Sequence, residues 1–315
     1  MKALILSAGL GTRLRPLTEH LPKSLLPILG KPLLELIISY LKGSGVEEMA
    51  INTHHLSGDI QAYLKSHPLL GSKIYHSQEP EILGTGGAIG KLKSFFKNED
   101  FFILYNGDIL TDLDLHPALK QHEEERPLIT MILHDYPPLN NVIINQDDEI
   151  IDLRGILKTS PESPNRCLAY TGISIVSGEI FKYYPSQKFS DLIEILLGII
   201  LNKKEKVKGF VEHNYYWHDI GTIEDYYKVH REIILEKKAK LKYLPSFSGT
   251  TYLGEATVIE EGVSLQGFCS IGKNCLIKKG AYLENCIIWD NTTIEEKERL
   301  KDCIKSRELI YHVKP

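Results

Sequence analysis

The chain has 315 residues, 43% of them apolar, which is enough for one large α/β domain and a smaller second one around a sizeable core. A formal net charge of −4 leaves no electrostatic footprint for nucleic acid or anionic lipid, and no apolar run reaches the length of a membrane span, so the expected partner is a small molecule. Five cysteines, Cys167, Cys269, Cys275, Cys286 and Cys303, are an odd set without Cys-x-x-Cys spacing; neither a disulfide framework nor zinc is indicated, and with no signal-type cleavage site behind Lys2 a cytoplasmic chain is expected.

The apolar run Ala3-Leu4-Ile5-Leu6 does not alternate, so it predicts a strand buried on both faces of a parallel sheet. Gly9 and Gly11 bracket Leu10 directly after it, followed by Thr12, Arg13, Arg15 and Pro16, with Lys23 further on. This composition suits a polyphosphate. Backbone N–H groups of a glycine-permitted turn can point inward as a nest, Arg13 can fork onto two phosphate oxygens, and Lys23 adds a point charge. Any strand–turn–helix junction favours glycine, so Gly9 and Gly11 alone say little. The string is not a P-loop, because the Gly-Lys-Ser/Thr ending is absent, and not a dinucleotide fingerprint, because Arg13 stands at the third glycine position.

The full string, Gly9-x-Gly11-Thr12-Arg13-Leu14-x-Pro16 with Pro22-Lys23-x-Leu25-x-Pro27, resembles the signature of the sugar-1-phosphate nucleotidyltransferases, or NDP-sugar pyrophosphorylases. The resemblance implies Arg13 and Lys23 as catalytic cations and Ala8, Gly9, Gly11 and Thr12 as nucleotide contacts.

Apolar positions 33, 34, 37, 38 and 41 predict a helix over 32–42, stopped by Gly43 and Gly45. A strand at 49–52, a helix at 58–64 and a strand at 74–76 follow, the alternation of a doubly wound parallel sheet. His54 and His55 are adjacent and therefore point apart, which favours a polar loop over a metal site. A second glycine cluster, Leu83-Gly84-Thr85-Gly86-Gly87, precedes a predicted helix over 88–96, where open α/β sheets bind ligands. By resemblance, Gly84, Thr85, Gly86 and Gly87 contact the nucleoside.

Strand 101–105 runs into Asn106-Gly107-Asp108, and a carboxylate at a strand's carboxyl end, with glycine beside it, suits Mg2+. The family resemblance makes Asp108 a metal ligand and Asn106 a sugar contact; Asp112 and Asp114 read as solvated turn residues. Strands are predicted at 128–134, 141–145 and 169–176. Tyr170-Thr171-Gly172-Ile173 resembles the family's sugar-facing segment, giving Thr171 and Gly172 as sugar contacts. Where many members carry Glu-Lys-Pro this chain reads Leu157-Lys158-Thr159, so Lys158 remains for the sugar phosphate while the glutamate is missing and the sugar is not named.

Residues 190–201 predict an apolar helix. Trp217-His218-Asp219-Ile220-Gly221-Thr222 resembles the family's second acidic motif and implies Asp219 as a second carboxylate on the cation shared with Asp108; Trp217 reads as core and His218 as a packed surface histidine rather than an acid or base. Residues 224–238 predict a charged amphipathic helix.

Beyond Pro245, Leu253, Ile259, Leu265, Ile271, Ile277 and Leu283 recur every six residues, with Trp289 next and Thr257, Val263, Cys269, Cys275, Ala281, Ile287 and Thr293 four positions later. Such hexads predict a left-handed parallel β-helix over about 253–294, with Cys269 and Cys275 as small inward fillers. A little over two coils is too short to stand alone, so docking on the preceding domain or on a second copy of the chain is expected.

The expected architecture is an α/β nucleotidyltransferase domain with a doubly wound, mostly parallel sheet over 1–240 and a β-helix over 241–315. The resemblance implies NTP plus sugar 1-phosphate giving NDP-sugar plus pyrophosphate, assisted by Mg2+, and is similar to mannose-1-phosphate guanylyltransferases and N-acetylmuramate-1-phosphate uridylyltransferases. Two rivals stand beside it. A catalytically silent regulatory subunit is expected to have lost Arg13, Lys23, Asp108 or Asp219, and all four are present; an acyltransferase needs a histidine in its β-helix, and residues 250–300 contain none.

Overall fold

In the computed structural model, which describes residues 1–71, 73–162, 164–184, 188–239, 241–307 and 309–313, Ala3, Leu4 and Ile5 are fully buried in strand Lys2–Ser7. That strand lies between Glu48–Thr53 and Phe101–Asn106, parallel to both, with Leu4 opposite Ala50 on one side and Leu104 on the other. Burial on both faces explains why neither flank alternates. Packing divides the chain into two compact units: Met1–Leu10, Tyr40–Ile109 and Leu113–Tyr215 form the first, and Gly11–Ser39, Leu110–Asp112 and Tyr216–Pro315 the second.

The first unit is built on a sheet of nine strands among the described residues. Its order is Ile150–Leu153, Val142–Ile144, Arg166–Ser177, Phe101–Asn106, Lys2–Ser7, Glu48–Thr53, Ile74–Gln78, with Ile129–His134 also beside Arg166–Ser177 and Val207–Val211 beside Ile129–His134. The expected parallel pairing holds from Phe101–Asn106 to Ile74–Gln78 and again for Val207–Val211. The long strand Arg166–Ser177 instead runs antiparallel to all three of its neighbours, so the sheet is mixed rather than mostly parallel. Rings of Phe96, Phe102 and Phe181 stack in its core, Phe96 on Phe102 at 4.1 Å between centroids. The apolar helix Leu192–Leu201 starts where Asp191 accepts the Ile193 N–H at 2.8 Å, a side-chain cap.

In the second unit, helix Ile223–Arg231 opens with a reciprocal capping box: Thr222 Oγ1 accepts the Asp225 N–H at 3.1 Å, and Asp225 Oδ2 accepts the Thr222 N–H at 3.0 Å. It continues through one wide turn, Glu232–Glu236, and stops at Lys237 in the left-handed region. Asp112 corrects an expectation. It is not a solvated turn residue, because its Oδ1 accepts the Tyr216 N–H at 2.7 Å, while Thr111 Oγ1 donates to Tyr216 O at 2.6 Å.

After residue 250 the chain winds through stacked parallel strands. Thr251–Leu253, Ser264–Ile271, Tyr282–Ile288 and Arg299–Lys305 form one ladder, closed by antiparallel Ile310–His312, and Val258–Ile259, Leu276–Ile277 and Thr293–Ile294 form another. Four stacked parallel strands exceed the little over two coils expected. The early partners follow three hexads, Thr251 with Cys269 and Ser264 with Tyr282; past Gln266 the climb shortens by one, Cys269 pairing with Cys286 and Leu283 with Leu300. Gly267, at φ +62°, sits in the intervening bulge. From there Ile288, Ile294 and Leu300 carry the buried stack, in place of the expected Trp289 and Thr293. Cys269 and Cys275 are buried fillers as expected, joined by Cys286 and Cys303. At the opposite end Leu253 and Ile259 are 48% and 37% exposed, so they are not part of that core.

Candidate active site

In the first unit, several expected residues meet where parallel strands end. Lys2–Ser7 releases the chain into Ala8, Gly9 and Leu10, and Phe101–Asn106 releases it into Gly107 and Asp108. The Gly107 N–H donates to Leu6 O at 2.8 Å. A β-carbon on Gly107 would stand 2.5 Å from Ser7 Oγ and 2.6 Å from Leu6 O, so only glycine lets this turn lie on the end of the first strand and present half-buried Asp108 beyond it. Gly172, at φ +83°, backs onto Asn106: its β-carbon would come within 2.9 Å of Asn106 Nδ2. Asn106, Asp108 and Gly172 therefore share one edge with Ser7.

Thr171 does not join them through its side chain. It is fully buried, and its hydroxyl donates to Ile132 O at 2.9 Å within the sheet. Lys158 is exposed on a turn that the sequence reading did not trace to its support. That support is Asp152, 0% exposed, whose two carboxylate oxygens accept the N–H groups of Leu157 and Thr159 at 3.1 and 3.0 Å.

The second glycine cluster is not a turn ahead of a helix. Gly84, Thr85, Gly86 and Gly87 form the first turn of helix Gly84–Lys91, and residues 92–96 lie beyond its end. The N–H groups of Gly86 and Gly87 donate to Ser190 O at 2.9 and 3.3 Å, which satisfies donors that a helix start leaves open. Side chains there would collide with Tyr184, Lys188 and Ser190: a β-carbon on Gly86 would lie 2.8 Å from Tyr184 Cε1 and 2.7 Å from Ser190 Oγ, and one on Gly87 2.5 Å from Lys188 O. Gly86 and Gly87 are thus buried against protein, and only Gly84 and Thr85 keep partly open surface. The Ser7, Asn52, Glu79 and Leu83 hydrogen bonds beneath this turn were not anticipated from sequence.

In the second unit, Gly11 at φ +63° lets the loop fold back so that Thr18 Oγ1 donates to Gly11 O at 2.8 Å. Buried Leu14 anchors the short turn Thr12–Leu14 and leaves Thr12 and Arg13, just before it, exposed. Lys23 opens a second short turn, Lys23–Leu25, and is half-buried. Strand Trp217–Asp219 ends on half-buried Asp219. Trp217 is half-buried rather than core, whereas Tyr216 is buried. His218 is packed, but buried rather than at the surface: it is 8% exposed, its Nε2 is 3.9 Å from Glu232 Oε2, and burial holds its pKa below the ordinary imidazole value. Gly221 lies against the Arg13 guanidinium, so this unit brings the arginine of the first motif to the glycine of the last.

Asp108 and Asp219 are hard oxygen donors of the kind Mg2+ accepts, one or two carboxylates completed by phosphate oxygens and water. Among the described residues, no group of three or more His, Cys, Asp or Glu side chains is arranged to hold a metal ion by itself. Each carboxylate by itself is a donor that fits a cation arriving with a polyphosphate.

The nucleotidyl transferase family model matches residues 2–236. A UTP–glucose-1-phosphate uridylyltransferase from Synechocystis sp. is 30% identical over 96% of this chain and 86% of its own length. A D-glycero-alpha-D-manno-heptose 1-phosphate guanylyltransferase from Campylobacter jejuni is 34% identical over 72% of this chain and 97% of its own. The crystal structure of HddC from Yersinia pseudotuberculosis complexed with GMP-PN superposes with a TM-score of 0.59 at 27% identity, covering 72% of this chain and 97% of that one.

Proposed function

The chain belongs to the nucleotidyl transferase family, and we propose that it is a sugar-1-phosphate nucleotidyltransferase, converting a nucleoside triphosphate and a sugar 1-phosphate into an NDP-sugar and pyrophosphate. The observation that carries this reading is the pairing of Arg13, in a glycine loop past a buried strand, with Gly221 of the acidic motif. The relatives' names agree on this reaction class while dividing between uridylyl and guanylyl transfer.

A sugar phosphate oxygen is already anionic near neutrality and attacks the α-phosphorus in line as pyrophosphate leaves, so no protein nucleophile is needed. The protein positions the reactants and neutralises charge. Arg13 forks onto triphosphate oxygens from an exposed turn, and Lys23 supplies a second cation. Ala8, Gly9, Gly11 and Thr12 line the phosphates, and Gly84 and Thr85 offer backbone to the base. Asn106, Gly172 and Lys158 face the sugar phosphate. Asp108 and Asp219 are the proposed carboxylates for Mg2+, which supplies charge neutralisation at the phosphates when bound.

We assign residues 1–240 to catalysis, consistent with the extent of the family match, and read the coils over 241–315 as a left-handed β-helix through which the chain can pair with a second copy. Dependence on free nucleoside triphosphate places the reaction in the cytoplasm. No helix among the described residues is long and apolar enough to cross a membrane.

The test is a matrix of the four common ribonucleoside triphosphates and dTTP against glucose, mannose, N-acetylglucosamine, N-acetylmuramate and heptose 1-phosphates, read as pyrophosphate release. One pair turning over well above the rest is the expected result; release with none of them contradicts the reading.

A further inference from the structure

Strand Glu48–Thr53 carries Asn52 near its end and strand Ile74–Gln78 runs into Glu79; both side chains point inward, Asn52 3% and Glu79 1% exposed. Asn52 Oδ1 accepts the Ser7 N–H at 2.9 Å. A backbone N–H only donates, so this bond decides which end of the amide is oxygen and aims the Asn52 amino group at Glu79 Oε1, 2.9 Å away. Glu79 Oε2 accepts the Leu83 N–H at 3.0 Å. The backbone of Glu79 is held as well, its N–H donating to Thr53 O at 2.7 Å and its carbonyl lying 2.8 Å from His54 Nδ1.

Both neighbours of the Glu79 carboxyl donate, so the position calls for an acceptor on each oxygen, which a carboxylate supplies and a carboxamide does not. The relay joins two functional turns. At one end, Ser7 is the last residue before Ala8, Gly9 and Leu10; at the other, Leu83 is the residue before Gly84 and Thr85.

We infer that Glu79 is a positioning residue for nucleotide binding, acting through Asn52 and Leu83 to hold the turn at Gly84 in register with the loop that leaves Ser7. The inference rests on the nucleotidyltransferase reading above, and it concerns the nucleoside triphosphate rather than the sugar phosphate. With both oxygens engaged and its surface covered, Glu79 acts on the nucleotide through the backbone it holds.

Three variants test it: Glu79→Gln, Asn52→Asp and the pair together. In Glu79→Gln the new carboxamide turns N–H toward one of two donors, and either Asn52 or Leu83 loses its acceptor. In Asn52→Asp two carboxylates face each other. The double variant restores every bond with the central one reversed, since the carboxamide at 79 donates to the carboxylate at 52, which still accepts from Ser7. With the wild type's preferred substrate pair, each single change should lower kcat/KM for the triphosphate about tenfold to a hundredfold while moving KM for the sugar phosphate less than about threefold. The double variant should return to within about threefold of wild type. A double variant as slow as the product of the two singles, one that fails to fold, or a Glu79→Gln enzyme that changes which triphosphate it takes would each overturn the inference, the last by making Glu79 a direct base contact. If the wild type turned over no pair, the nucleotidyltransferase reading would fail; the relay would then be read in melting, where the double variant must lie closer to wild type than either single.

Discussion

The guanidinium of Arg13 occupies the space that a side chain on Gly221 would need. A β-carbon built there would come within 3.1 Å of Arg13 Nη2 and 3.3 Å of its Cζ and Nη1. Two motifs far apart in sequence are thereby fitted to one another, and a glycine two residues past Asp219 gains a reason: the flat face of the guanidinium needs the room that a side chain would fill.

Gly221→Ala is therefore expected to move Arg13 without harming the fold, because the colliding atoms are the far end of a flexible side chain. The loss should appear in pyrophosphate release, about tenfold or more in kcat/KM, or roughly 1.4 kcal/mol of transition-state stabilisation, with little change in melting temperature. Arg13→Lys keeps the charge but not the fork and should lose a similar amount. Unchanged kinetics in Gly221→Ala would separate this contact from the reaction.

Asp112 is expected to matter for stability rather than chemistry. Asp112→Ala removes the acceptor of the Tyr216 N–H and should cost about 1–3 kcal/mol in urea unfolding, while Asp112→Asn keeps an oxygen there and should cost less. Equal losses in the two variants would point to charge, not to this hydrogen bond.

Helix Ile223–Arg231 depends on the C-terminal coils. Tyr227 packs edge-on against Phe268 at 5.0 Å between centroids, its hydroxyl 3.0 Å from Asp302 Oδ1, and Trp289 Nε1 donates to Tyr226 Oη at 3.1 Å. Truncation after residue 245 uncovers this face at about 25 cal/mol per Å² of apolar area and should yield an aggregating or lower-melting protein. A truncated chain that stays soluble and melts unchanged contradicts the dependence.

How much of this was readable in the sequence varies with how strongly each segment is patterned. The strands around Leu4, Ile51 and Ile103 are continuous apolar runs, and helix Leu33–Gly43 has a full apolar stripe, so both were legible. Helix His116–Glu125 was not: it buries only Ala118 and His122, and with Leu119 half-buried and a run of charged residues after it, almost no period is left. Glycines at 84, 86 and 87 suggested a turn because their propensity opposes helix, yet contact with Ser190 and Lys188 requires small residues in a helical turn. In the coils, hexads exposed the repeat and hold through Leu283, but the bulge at Gly267 leaves the next coil one residue short, so the inward positions beyond Leu283 shift by one. Motifs singled out Arg13, Asp108 and Asp219 as candidates, whereas Asn52, Glu79 and Asp152 act through backbone N–H groups that no side-chain pattern marks.

Stability should fall in mild acid through two buried histidines. His230 is fully buried, its Nδ1 3.0 Å from Tyr226 O and its Nε2 facing the Leu29 N–H; His122 lies 2.8 Å from Thr130 Oγ1. Burial pushes each down to about 4. Above the ordinary value near 6.5 neither state is protonated there, and stability is at its full value. Between 6.5 and 4 the unfolded chain takes up protons that the folded chain refuses, so stability falls as pH falls, by up to about 1.4 kcal/mol per pH unit for each histidine. Urea unfolding from about pH 6.5 to 5 should show a loss on the order of 2–4 kcal/mol. A flat profile would mean that these imidazoles protonate without unfolding.

The central claim is that the chain turns nucleotide over rather than merely binding it, and a mass balance tests this most directly. With the preferred substrate pair, NDP-sugar and pyrophosphate should form in equal amounts with Mg2+ present. Both should stop on chelation, and both should nearly vanish in Asp108→Asn and in Asp219→Asn, with melting preserved. Nucleotide-sugar bound with no pyrophosphate formed, or turnover that survives chelation and both substitutions, would contradict the account.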